Sequence, residues 1–281
     1  MQSAENSIRL VKLSKCGYEV PVVIGADCSI DGVYEDSPKH IHGDNGIGNV
    51  ILPESDQKPL PEEGADFIIR KAKELDGDLI IVSTGRLTNL ANALAKEPRL
   101  PKMIKKLVTM GGVLYGPGNV TNYAEANIYG DARAADLVFR AGFHMYLVGL
   151  DVTQKTFITE QELDDLDQYC KEDCQDIAKY IRDVLKLYFE FHRSTQGMVH
   201  RSFVHDPLAM LIAEDPRLGK YEMIVAGVEY QAPAFRGMIL QDKRFLPAMD
   251  HDEIAFCVEV DSERAIRRLF SVFQKEGKRF K

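Results

Sequence analysis

The sequence predicts an α/β fold, a mostly parallel sheet with helices on both faces. Three observations lead there. Short runs at 78–83 (DLIIVS), 107–109 (LVT) and 145–150 (MYLVGL) are nearly continuously apolar, as strands covered on both sides must be. Between them lie segments whose apolar residues recur at helical spacing, at 65–74, 90–96 and 132–140. Each apolar run ends in a polar or glycine-bearing turn, and ligands of open α/β sheets bind past the carboxyl ends of strands.

Composition bounds the function. The 281 residues suffice for one large domain with a sizeable core. A net charge of -8 argues against a general nucleic-acid surface, which is usually basic. No run of about 18 apolar residues offers a membrane span. The first fifteen residues, MQSAENSIRLVKLSK, carry charges throughout, so they do not read as a secretory signal. The five cysteines are an odd, sparse set. Cys170 and Cys174 share a helix face, but without a nearby histidine or second pair they read as free thiols of a reducing cytosol.

Taken in order, residues 7–14 look helical and 20–25 (VPVVIG) reads as a strand. A polar loop follows with Gly43, Gly46 and Gly48. His42 sits where such a loop folds over a ligand, or is a surface histidine of a flexible connection. Residues 65–74 form a helix. The strand at 78–83 runs into 84–89 (TGRLTN) and a helix at 90–96. That turn leaves the Thr84 carbonyl free at a strand end, or is an ordinary connection with Thr88 as helix cap. The strand at 107–109 breaks at 110–112 (MGG), and a loop with Gly116, Pro117 and Gly118 allows close backbone approach to a ligand.

Asn119, Glu125 and Asn127 then crowd donors and acceptors into an irregular segment. Glu125 and Asn127 stand two apart, which in an extended chain puts them on one side. A helix at 132–140 and the strand at 145–150 come next. Residues 160–191 are acidic and helical, split near Asp173, and 195–204 is a polar connection. Asp206 suits a helix cap and Pro207 the first helical position. Strands at 222–229 and 253–260 and a basic amphipathic helix at 262–275 close a single domain, 1–281, with no internal repeat.

The pieces MGG, GN at 118–119 and AEANIYGDARAA at 124–135, with TGRLTN and HDPLA at 205–209, closely resemble the motifs of the inosine-uridine-type nucleoside hydrolases. Their order and spacing carry the likeness, which runs from about Val20 to the last helix. The resemblance implies an open Rossmann-like nucleoside hydrolase fold. It implies hydrolysis of purine or pyrimidine ribonucleosides to ribose and free base, assisted by calcium, in a cytoplasmic homodimer or homotetramer. Thr84, through its backbone oxygen, and Asp206 match metal ligands. Met110, Asn119, Glu125 and Asn127 match positions that hold the ribose. His42 matches a mobile-loop histidine approaching the base. His205 and Asp206 match the catalytic pair, with His205 near the leaving base.

The chain departs from the pattern at Arg86, where Pro or Gly is usual, and at Ala126, where an aromatic is usual. The first twenty residues hold no match to the family's aspartate-rich D-x-D-x-x-x-D-D motif, so the domain reads as amino-terminally short relative to the family. Calcium prefers six to eight oxygens, so the two matched ligands predict weak binding. Two functions stay open: a ribonucleoside hydrolase, and a non-catalytic relative that binds nucleosides or partners.

Overall fold

The apolar runs form Ile80–Ser83, Lys106–Met110 and Met145–Val148, three parallel strands paired side by side. The computed structural model describes residues 1–33, 38–244, 246 and 250–274. Glu253–Val260 adds a fourth parallel strand beside Met145–Val148. Beyond it Gly219–Val228 runs antiparallel, and Ile239–Gln241 runs antiparallel to that. The sheet is therefore mixed, with a parallel half whose order begins at the Ile80–Ser83 edge.

Alternation along each strand sends successive side chains to opposite faces. Leu107 and Leu147 join one core with Leu90, Ala135 and Val138, from helices Thr88–Lys96 and Ala132–Phe139. Val108 and Val148 join another with Leu208, Ile212 and Ala265, from helices Asp206–Glu214 and Ser262–Ser271. Burying each such side chain contributes roughly 1.5–3 kcal/mol. A third cluster of Leu166, Phe189, Val204 and Phe270 ties in helices Glu160–Tyr169 and Gln175–Gln196. The break between these two helices is a 3-10 turn at Glu172–Cys174, where the split near Asp173 is expected. Among the described residues, no helix is long and apolar enough to cross a membrane.

Several expectations are corrected. The strand expected at 20–25 is only Val23–Ile24, and it lies outside the main sheet, pairing with Leu60–Glu63. Pro21 lacks the N–H that a central ladder needs, and the run is too short to span the sheet. The polar connection at 195–204 is in part the end of the Gln175–Gln196 helix. It also holds a strand, Arg201–Phe203, paired antiparallel with Phe157–Thr159. Three-residue strands are too short to show a period in sequence. The last helix ends at Ser271, and position 275 of the expected span lies outside the described residues.

Candidate active site

The Lys106–Met110 strand stops at two glycines. Gly112 has φ +74°, and a Cβ there would lie 2.4 Å from Ile239 Cδ1, so only glycine fits. This turn aims the Gly112 N–H at Glu125, whose Oε2 accepts from it at 2.9 Å and from Ile128 N–H at 3.1 Å. Glu125 thereby caps a short helix, Ala126–Gly130. The extended segment expected around Glu125 and Asn127 is corrected accordingly, because the cap bond turns the chain helical at Ala126. The side chains nevertheless converge on the strand ends. Asn127 Nδ2 donates to the Met110 carbonyl at 3.1 Å and reaches the Thr84 carbonyl at 3.4 Å. The Thr84 oxygen is thus not free. Asn119 Oδ1 accepts from Ala126 N–H at 3.0 Å. Thr84, Met110, Asn119, Glu125 and Asn127 form one bonded group.

Two buried aspartates that the sequence reading passed over brace this group. Asp151 accepts from the N–H groups of Leu114 (3.0 Å), Tyr115 (2.8 Å) and Gly116 (3.1 Å), folding the loop after the glycines. Asp131 accepts from the Thr88 hydroxyl at 2.6 Å, from Ile30 N–H and from Ala134 N–H. Thr88 is therefore no helix cap; Leu87 holds that position and the Thr88 hydroxyl goes to Asp131. A lone aspartate just past a strand, as at Asp151, was the available signal.

His205 and Asp206 arrive from the other sheet face. Val204 N–H donates to the Thr156 carbonyl at 2.9 Å, and His205 Nδ1 lies 2.7 Å from Thr153 Oγ1. Asp206 opens the helix Asp206–Glu214, but His205 is the cap residue and no side chain caps that end. The capping account of Asp206 is thereby overturned, whereas Pro207 does sit in the first turn. The Asp206 carboxylate faces solvent from a recess, and the surrounding protein raises its pKa to about 6. Its charge is felt at Glu125 and at Tyr188, where it adds to burial in raising both. Burial, then the charge of His192, lowers His205 to about 4. His205 is neutral near pH 7.

His42 ends the short helix Lys39–His42, is exposed, and stacks on Tyr188 at 6.2 Å and 23°. Rings continue from Tyr188 to His192 (4.4 Å), Phe203 (5.0 Å from His192) and His205 (5.5 Å from Phe203). Tyr188, His192 and Ser202 also escaped the sequence reading, although Tyr188 and His192 stand four apart on one helix face. The bonds link Thr84, Met110, Asn119, Glu125 and Asn127, the Asp206 charge reaches Glu125 and Tyr188, and His42 stacks on Tyr188; Glu125 and Met110 are buried.

The calcium implied by the motifs is poorly served by this donor set. Thr84 offers a carbonyl already approached by Asn127, Asp206 offers one carboxylate, and Glu125 Oε2 is engaged with amides. Among the described residues, no three His, Cys, Asp or Glu side chains gather to hold a metal. These residues do not fit an ion that takes six to eight oxygens.

The uridine nucleosidase 1 of Arabidopsis thaliana is 35% identical over 213 residues, 76% of this chain and 62% of that protein. The inosine-uridine preferring nucleoside hydrolase of Crithidia fasciculata is 33% identical over 227 residues, 80% of this chain and 70% of that protein. The chain thus spans less than two thirds of the Arabidopsis relative. A purine-preferring ribonucleoside hydrolase from Gardnerella vaginalis superposes with a TM-score of 0.87 at 34% identity, over 96% of this chain and 84% of that one. The model of the inosine-uridine preferring nucleoside hydrolases matches residues 1–267, so the likeness begins before Val20. With motifs, family match and overall fold in agreement, the chain belongs to the inosine-uridine preferring nucleoside hydrolase family.

Proposed function

We propose that the chain binds a purine or pyrimidine ribonucleoside in a cleft among these residues and hydrolyses its N-glycosidic bond to ribose and free base. One observation carries the reading: the bonded Glu125–Asn127 group at the strand ends lies within electrostatic reach of the Asp206 carboxylate. Met110, Asn119, Glu125 and Asn127 hold the ribose hydroxyls. The base lies against the stacked His42 and Tyr188 rings.

In the reaction, water oxygen forms the bond to C1′ and gives up one proton to bulk water, while the C1′–N electron pair leaves with the base, which takes one proton in exchange. Positive charge grows on the sugar as the bond breaks, and the Asp206 carboxylate stabilises it. A neutral His205 whose Nδ1 accepts from the Thr153 hydroxyl keeps its proton on Nε2, where it hydrogen-bonds the departing base. No step here runs through calcium. Any calcium rests on Asp206 and the Thr84 carbonyl and is held weakly. The working form is a cytoplasmic homodimer or homotetramer.

A second reading, nucleoside binding without hydrolysis, is favoured by the sparse metal donors. Calorimetry with uridine and inosine, beside an assay of released base with calcium or a chelator, separates the two. Base release supports hydrolysis; binding alone supports the second reading, and neither binding nor release overturns both. Fast, chelator-sensitive release overturns the weak-calcium expectation.

A further inference from the structure

His192 lies in the last turn of the Gln175–Gln196 helix and is 1% exposed. Its carbonyl accepts the Gly197 and Met198 N–H groups that close the helix, and Gly197 takes the φ of +65° that reverses the chain. Its ring turns toward the next strand. Nδ1 lies 2.8 Å from the hydroxyl of Ser202, which is fully buried. The ring edge packs on Phe203 at 5.0 Å, nearly perpendicular, and Phe203 reaches the His205 ring at 5.5 Å. Tyr188, one turn earlier, packs at 4.4 Å.

The segment that delivers His205 and Asp206 is itself a short element, held by contacts from both sides. Arg201–Phe203 pairs with Phe157–Thr159 over three residues. Short two-stranded pairs are marginal alone. On that side the Val204 amide bonds to the Thr156 carbonyl, the Glu160 amide to the His200 carbonyl, the Thr153 hydroxyl meets His205, Arg201 lies over the Phe157 ring, and Val204 is buried in the third cluster. His192 supports the strand from the opposite side, at its central residue.

We propose that His192 is a positioning residue: through Ser202 and Phe203 it sets the register of the strand that presents His205 and Asp206 to the nucleoside. The proposal rests on reading the cleft as a nucleoside site. Histidine suits the place because one ring supplies an apolar face for Tyr188 and Phe203 and a polar atom for Ser202. Phenylalanine keeps the face and leaves the Ser202 hydroxyl buried without a partner. Burial also lowers the His192 pKa to about 4, so the ring stays neutral near pH 7.

The test compares the full chain with His192→Phe, His192→Asn, Ser202→Ala and the His192→Phe/Ser202→Ala double variant. The first readout is amide hydrogen exchange at Val204, which needs no activity. Exchange there speeds up in His192→Phe and in Ser202→Ala. The double variant is no faster than the worse single one, and His192→Asn, whose amide reaches Ser202, recovers most of the protection. Unchanged exchange, or additive effects in the double variant, overturns the proposal. The second readout is base release from uridine. Misplacing His205 and Asp206 lowers kcat roughly ten- to a hundredfold, with KM moving less than about threefold. A raised KM at unchanged kcat overturns positioning, because His192 then contacts the bound nucleoside itself. If the unaltered chain neither binds nor cleaves uridine, the reading of the cleft fails and the exchange cycle alone decides the link. If His192→Phe does not fold, His192→Asn and Ser202→Ala decide it.

Discussion

Glu125 is 2% exposed, and its Oε2 receives two backbone N–H groups, so its first task is to join the glycine turn to the Ala126–Gly130 helix. Glu125→Ala strands both amides and is expected to cost about 1–3 kcal/mol of stability. It should also weaken ribonucleoside binding by a similar amount. Urea unfolding and calorimetry with uridine measure the two effects. Glu125→Gln, which keeps an acceptor oxygen, should restore most of the stability; a loss equal to that of alanine would show that charge, not the bonds, matters there. His192 makes a pH-dependent prediction. Its folded pKa of about 4 is below its ordinary 6.5, so on acidification the unfolded chain takes up the proton first. The stability tied to its neutral form is intact above about pH 6.5 and lost as pH falls toward 4. His205 shifts the same way and adds to the loss. Melting at pH 7 and pH 4.5 should show the gap between the chain and His192→Phe narrowing in acid. A gap that widens refutes the sign.

At the scale of elements, the loop bearing His42 is clamped to the long helix through a glycine. Gly48 has φ +64° and donates its N–H to the His42 carbonyl at 2.8 Å. A Cβ on Gly48 would lie 2.7 Å from the Val184 carbonyl oxygen. Gly48→Ala therefore combines a left-handed backbone with a clash against main chain. It is expected to cost about 1–3 kcal/mol and to shift His42 off Tyr188, lowering affinity for uridine. Urea unfolding and calorimetry check this, and an unchanged midpoint would mean that the loop and helix move apart freely. The same reasoning explains why short elements matter here. The three-residue strand beside His205 and the five-residue helix after Glu125 have little stability of their own and take their positions from His192, Gly112 and other partners outside them.

At the scale of the molecule, the two sheet faces can be perturbed separately. Leu147 is fully buried in the core opposite the Asp206–Glu214 helix. Leu147→Ala should cost about 2–5 kcal/mol yet leave uridine affinity unchanged well below the melting temperature. A large affinity loss would mean that the two faces are coupled through the sheet. The parallel strands Ile80–Ser83, Lys106–Met110 and Met145–Val148 were legible because double-sided burial demands continuous apolar runs, a local property of the chain. The polar segments near the strand ends were legible because the glycine turn, the crowded polar segment and the HDPLA motif are each contiguous in the chain. Partners were not. Whether Asp206 caps its helix, whether Glu125 sits in an extended segment, where Val23–Ile24 pairs, and what stands behind His205 depend on contacts between residues far apart in the chain. Such contacts leave no period in a three-residue strand or a single aspartate. The sequence by itself determined which segments are buried and where the polar turns fall, since both follow from local side-chain chemistry. Only the tertiary structure decided which buried acceptor meets which donor, because that choice is made by the packing of the two sheet faces.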